Sequence, residues 1–383
     1  MSLGVKLTIL HTRGETDDHI SVWIASKQLL ISGDTIYPFF PNIYSLRGTP
    51  PRDAFAWYHS VGRMRDLDLH HLIPCHGNPI QGSMEVDIAL TIYRDGIQYV
   101  HDQTVRMMNK GWSLDAIVAH VALPDVLRNR KILNQIYGKV EWSVRGIYDY
   151  YNGWFDGEVE NIFSLSRSKK AKFMADLLSL DYPGSAYEKM IYGANLTLSK
   201  FINHDSGTEM ENELAWGLYL CAMASEVDKS QDLEHVTMEL VKAMIKINKN
   251  NMIANNFFFV YLKRLQNDGK ALFRLINPIQ HLPLNQAFEA IPYRFKAEIC
   301  ESGLIMRLLV QITDAHGFSN GYIMRNCVIE HVTHPKPDDF DHTIPLSMSE
   351  FRQLFSKQKD VDENINLSDD KLEILKKFIS FLD

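Results

Sequence analysis

Glu15, Asp34 and His76 are the residues whose types and positions suit metal chemistry. Each lies beside the end of a short apolar run, and each has a glycine next to it: Gly14, Gly33 and Gly77. An α/β scaffold presents carboxylates and imidazoles to a divalent ion from loops at its strand ends. Glycine permits the tight turn that aims a short side chain at the ion. Asp34, directly after a strand-like run, is the best candidate for a carboxylate bridging two ions. Asn42 and Arg47 follow closely, and a guanidinium there suits an oxyanion such as sulfate, phosphate or carboxylate. A plainer alternative stays open on spacing alone: Asp17 and Asp34 as turn residues, His76 as a satisfied loop histidine.

These residues need a frame to hold them. Residues 1–82 read as short strands, "VKLTIL", "ISVWI", "QLLIS" and "HHLIP". Between them "RDAFAWYHSVGRMRDLD" sets Phe55, Tyr58, Val61 and Met64 at helical spacing, which predicts an α/β layer. Residues 83–265 read as helical throughout, with Ser113 as an N-cap and hairpins over 187–265 that show no clear internal repeat. We read this stretch as an assembly domain. Residues 275–383 predict a small α+β unit: strands in "LIMRLLVQITDAHGFSNGYIMRNCVIEHV", then helices in "MSEFRQLF" and "DDKLEILKKFISFL". Its strands bury Leu308, Val310 and Ile312 on one face, as a plain core or an apolar ligand pocket. The expected fold class is therefore α+β and multidomain.

Composition narrows the function. With 45% hydrophobic and 23% charged residues the chain falls in the ordinary globular range. A formal charge of -7, with no Lys/Arg-rich tract, argues against a nucleic-acid partner. The four cysteines are widely spaced with no CxxC, so neither a disulfide framework nor a cysteine zinc site is expected. No apolar run has the length of a transmembrane span. The first ten residues lack the features of a signal peptide, which implies a cytoplasmic protein if Met1 is the genuine start.

Longer blocks carry a resemblance. "GETDDHISVWI", "GDTIYPFFPNIYSLRGTPPRD" and "IPCHGNPI" resemble the second half of a metallo-β-lactamase-fold domain of the alkyl sulfatase type. "YRDGIQYVHDQTVRMMNKG" and "YGKVEWSVRGIYDYYNGWFDG" resemble the start of that family's dimerisation domain, and the last hundred residues its sterol-carrier-protein-like domain. The implied domains are a partial metallo-β-lactamase-like αββα layer at 1–82, a helical dimerisation domain at 83–265, and the sterol-carrier-protein-like domain at 275–383. The implied activity is zinc-dependent hydrolysis of alkyl sulfate esters, of the dodecyl sulfate type, by a homodimer with two Zn2+ per complete site. By position, Glu15 would bind one zinc, Asp34 would bridge both and His76 would complete the second. Asn42 and Arg47 would hold the sulfate group, with Tyr44 lining the site between them.

The family's principal metal motif, HxHxDH, has no match in these residues. His70-His71 have the wrong spacing, and "HVTHPKPDDFDH" reads as a solvated loop. Three ligands hold one ion loosely at best, so these 383 residues alone are expected to be inactive and to be a fragment of a full alkyl sulfatase. Half a sandwich would also expose the apolar side chains of "ISVWI" and "QLLIS". The rival reading is a non-catalytic dimeric binding or scaffold protein with an apolar-ligand domain. His101 and Arg106 are open to a role near the substrate or in a buried network. The aromatic block around Trp142 and Trp154 is open to an interface or a helix-packing core.

Overall fold

The structure is a computed structural model that describes residues 4–44, 46, 48–156, 159–162, 164–178, 182–203, 208–228, 233–247, 282–300, 303–315, 318–356, 365 and 367–383. These residues divide into two compact units, residues 1–153 with 274–383, and residues 154–273.

The first unit begins with a five-stranded sheet in sequence order: β1 (Thr8–His11), β2 (Ile20–Ile24), β3 (Leu29–Gly33), β4 (His71–Pro74) and β5 (Ile80–Gln81). β1, β2 and β3 form an antiparallel meander. β4 lies parallel to β3, and helix α1 (Ala54–Arg65) connects the two. Asp53 starts α1 by accepting the Ala56 N–H at 2.9 Å, the carboxylate N-cap that satisfies a free helix-end donor. The helical spacing expected for "AFAWYHSVGRMR" is borne out: Tyr58, Val61 and Met64 are buried, together with Trp57. They share a core with Leu30 and Leu72 of the sheet.

Alternation along the strands puts a second aliphatic row on the sheet's other face. Ile9, Val22, Ile31 and Ile73 are cross-strand partners. Ile9 and Ile31 remain 56% and 39% exposed, and Ile20 53%. The expected exposure of "ISVWI" and "QLLIS" is thus present.

Helix α2 (Ser83–Asn109) is buried on every side from Ile92 to Met108, and its charged residues pair within the protein. Asp95 accepts from Arg94 at 2.9 Å and Arg325 at 3.0 Å, while Arg106 donates to Glu298 at 2.7 Å and pairs with Asp383. Three shorter helices follow: α3 (Leu114–His120), α4 (Asp125–Arg128) and α5 (Val140–Asn152). Ser113 caps α3 as expected, accepting the Ala116 N–H.

The second unit holds α6 (Arg167–Leu178), α7 (Ala186–Asn203), α8 (Thr208–Val227) and α9 (Glu234–Ile247) around Leu214, Leu218, Leu240 and Met244. The helical reading from 248 to 265 falls outside the described residues.

Returning to the first unit, α10 (Leu284–Glu289) precedes a four-stranded sheet of β6 (Met306–Ile312), β7 (Ser319–Arg325), β8 (Val328–Val332) and β9 (His342–Leu346), ordered β8-β7-β6-β9. Leu308, Val310 and Ile312 are buried, as the spacing implied. Helices α11 (Met348–Phe355) and α12 (Asp369–Ser380) close the chain.

Two corrections concern this region. The stretch read as a solvated loop contains the end of β8, with His331 half-buried, and the start of β9, which pairs parallel to β6. Its alternation was masked by the preceding "HPKPDDFD". Cys300 and Cys327 are joined in a disulfide, although their separation of 27 residues gave no sequence signal. The fold alone brings them together, because Cys327 occupies the two-residue β7–β8 turn, where it and Asn326 both have positive φ (61° and 48°).

Candidate active site

The parallel pairing of β3 and β4 decides the geometry. Gly33 stands opposite Pro74, so the two chains leave the sheet side by side and the Cys75 N–H reaches the Gly33 carbonyl at 3.3 Å. Gly33 turns with φ +60° and Gly77 with φ +86°, a region that costs any residue with a Cβ. The turns place Asp34 Oδ1 3.4 Å from His76 Nε2. That carboxylate oxygen is buried and has no hydrogen-bond partner among the described residues, whereas the imidazole is 73% exposed. An orphan carboxylate oxygen facing an imidazole nitrogen is the donor pair a divalent cation takes.

Glu15 is oriented differently. Its carboxylate is bound by Arg52, which also donates to the Asn42 carbonyl at 2.5 Å and lies over the Trp57 ring. Close packing makes that arrangement possible, since a Cβ on Gly14 would stand 2.7 Å from the same indole. Among the described residues, no three His, Cys, Asp or Glu side chains converge closely enough to hold a metal. Asp34 and His76 stand close enough to share one ion. The Glu15 carboxylate is engaged by Arg52.

Of the oxyanion candidates, Asn42 is buried with its Oδ1 unpartnered, and its backbone N–H donates to the Tyr37 hydroxyl at 3.1 Å. Burial pushes that phenol up to about 12, so it stays protonated near neutrality. Tyr44 is half-buried against α5, where a Cβ on Gly146 would meet its own Cβ at 2.6 Å. Arg47 lies outside the described residues.

Two residues of this centre escaped the sequence reading. His19 ties three loops together: its Nε2 accepts the Asp34 backbone N–H at 3.1 Å, and its Nδ1 lies 3.0 Å from Thr12 Oγ1 and 2.9 Å from Thr35 Oγ1. Accepting at Nε2 fixes the neutral tautomer with its proton on Nδ1. Burial, the largest cause, lowers the pKa and favours that neutral form. Arg52 is the other, a cation between Glu15 and Asn42. Both stood inside the quoted blocks, at "TDDH" and "TPPRD", but neither has a spacing that marks it. His101 and Arg106 prove to be buried network members. The His101 ring bonds Asp102 at 2.7 Å and the Tyr151 hydroxyl at 2.8 Å.

Comparison with known proteins bears on two segments of the chain. Residues 2–76 match the family model for the metallo-beta-lactamase superfamily, and residues 113–181 match that for alkyl sulfatase dimerisation. Two segments of the chain are thus similar to proteins of the alkyl sulfatase type within the metallo-β-lactamase superfamily. It is 37% identical over 193 residues to a linear primary-alkylsulfatase of Pseudomonas, covering 49% of this chain and 37% of that protein. It is 26% identical over 175 residues to the alkyl/aryl-sulfatase of Saccharomyces cerevisiae, covering 45% and 26%. The chain thus spans well under half the length of these relatives. A solved structure of an inverting sec-alkylsulfatase from Pseudomonas aligns with a TM-score of 0.43 at 20% identity, covering 99% of this chain and 59% of its own. Among the described residues, no helix is long and apolar enough to cross a membrane.

Proposed function

We propose that this chain is part of an alkyl sulfatase and contributes metal and sulfate contacts to the zinc-dependent hydrolysis of alkyl sulfate esters, releasing an alcohol and inorganic sulfate. The observation that carries the reading is the orphan Asp34 Oδ1 facing His76 Nε2 where parallel strands end. Zinc, when bound, would supply an acidified water and polarise the ester. Asp34 and His76 would hold it, with Glu15 joining only on release from Arg52. Asn42 would donate through its Nδ2 amide to the sulfate oxygens together with Arg47, and Tyr44 would line the approach. Two zinc ions require more ligands than Glu15, Asp34 and His76 supply. The dimerisation-type segment supports a homodimer, and the β6–β9 sheet with its two helices is proposed as the sterol-carrier-protein-like domain.

Zinc titration of the purified chain and of Asp34→Ala and His76→Ala tests the ligand assignment. Dodecyl sulfate hydrolysis tests the activity. Zinc binding that both substitutions leave unchanged would sink the assignment. The second reading, a non-catalytic dimeric binding protein, is favoured by the engagement of Glu15 with Arg52. It predicts no zinc retention and no sulfate release.

A further inference from the structure

The backbone around Asp34 is anchored from separate elements at consecutive peptide units. The Gly33 carbonyl accepts the Cys75 N–H at 3.3 Å, the Asp34 N–H donates to His19 Nε2 at 3.1 Å, and the Thr35 carbonyl accepts the Trp57 indole N–H at 2.9 Å. The imidazole approaches over Gly33, where a Cβ would stand 2.5 Å from Nε2. Of these bonds, only the one to His19 depends on a side-chain atom that can present either a proton or a lone pair.

The other edge of the ring settles which it presents. Nδ1 lies 3.0 Å from Thr12 Oγ1 and 2.9 Å from Thr35 Oγ1, and each hydroxyl has a single proton to give. Thr35 Oγ1 donates its proton to the Thr12 carbonyl at 3.4 Å, and Ser21 Oγ donates to the Ser32 carbonyl at 3.2 Å. Ser21 is therefore the acceptor in its 2.9 Å bond with Thr12 Oγ1, which uses the Thr12 proton as well. Thr12, Ser21, Ser32 and Thr35 are all at most 2% exposed, so solvent does not compete for these bonds. Both threonine oxygens face Nδ1 with lone pairs, and Nδ1 must carry the ring proton. The hydroxyls and the Asp34 N–H thus select the same tautomer from opposite edges of the ring.

We propose that His19 is the positioning residue of the candidate metal site. The buried hydroxyls of Thr12, Ser21 and Thr35 fix its proton on Nδ1, its bare Nε2 fixes the Asp34 backbone, and Asp34 is thereby held with Oδ1 towards His76. Groups that orient a ligand without touching the ion govern how tightly the ion is held. This role rests on Asp34 being a metal ligand.

Measurements on the full chain separate the role from that ligand assignment. Heteronuclear NMR of the histidine rings at neutral pH, with the His19 signal identified by its loss in His19→Gln, should show the proton on Nδ1. A proton on Nε2 would overturn the inference whatever the metal does. Zinc affinity is then measured by competition with a chromophoric chelator. His19→Leu, which cannot accept from the Asp34 N–H, should weaken zinc about tenfold. His19→Gln, whose amide oxygen reaches the place of Nε2, should stay within about threefold of the native chain. Should His19→Leu fail to fold, Thr35→Val, which removes an acceptor from Nδ1, must weaken zinc in the same direction. Zinc affinity unchanged in His19→Leu yet lost in Asp34→Ala would overturn the role and leave the ligand assignment standing. Equal losses in His19→Leu and His19→Gln would make His19 a packing residue and overturn the role too. A native chain that binds no zinc would overturn the ligand assignment and this role with it.

Discussion

Acidification should destabilise this protein through two half-buried histidines, His59 on α1 and His331 on β8. Burial, the largest cause, pushes the His59 imidazole from 6.5 down to about 4. Arg94 and His101 on α2 and His331 on β8 push the same way, and only Glu330 opposes them. Burial alone takes His331 down to about 4. A histidine depressed in the folded state binds protons more readily when unfolded, so stability is full above about 6.5 and lost as pH falls towards about 4. Linkage with those two values gives a loss of about 2 kcal/mol per histidine at about pH 5, or roughly 4 kcal/mol together. Urea melts of the native chain and of His59→Asn/His331→Asn, at about pH 7.5 and about pH 5, measure this. The native chain should lose roughly that much more stability than the variant. An equal loss in both would show that these rings titrate normally.

Glu330 adds a separate arm at lower pH. Arg94, Arg325 and Arg65 outweigh its burial and hold its carboxyl near 2, so its contribution is present above 4.5 and lost as pH falls to about 2. Glu330→Gln should therefore flatten the acid limb below about pH 4, while the histidine limb above it persists and deepens, since His59 loses the one charge that opposes its depression. Gly33→Ala places a Cβ 2.5 Å from the His19 ring at φ +60°, and should cost more than about 1 kcal/mol in urea melts while weakening zinc binding at Asp34. Arg52→Ala frees Glu15 and removes a nearly buried charge-assisted bond. A stability loss of about 1–3 kcal/mol is expected in the same melts, together with firmer zinc retention as Glu15 turns to the metal. Removing the Cys300–Cys327 bond by Cys300→Ser/Cys327→Ser opens a loop of 27 residues, and in the chain-entropy model should cost about 3–4 kcal/mol, read from melts under oxidising conditions.

The strand-and-helix alternation of the first eighty residues was legible because the two periods differ. Alternate residues in "ISVWI" and "LLISG" face opposite sides of the sheet, while Tyr58, Val61 and Met64 recur at helical spacing. Asp34 and His76 were legible for a related reason, since both close strands beside a glycine. What the spacing could not reveal was the parallel pairing of β3 with β4 across an intervening helix, and that pairing brings the two side chains together. Glu15 was placed by resemblance alone, and its engagement by Arg52 depends on a contact between residues 37 apart. His19 hid in a run of polar residues, and β9 hid behind prolines and aspartates. The Cys300–Cys327 pair was invisible because its proximity depends on the C-terminal fold.

The measurement closest to the central claim is zinc content of the purified chain by elemental analysis, taken with and without Asp34→Ala and His76→Ala and paired with a dodecyl sulfate hydrolysis assay. The account predicts no more than one loosely held zinc per chain, lost with either substitution. Two tightly held zinc ions with sulfate release would contradict the reading that Glu15, Asp34 and His76 leave the metal site short of ligands. Zinc that survives both substitutions would contradict the assignment of Asp34 and His76 as the ligands.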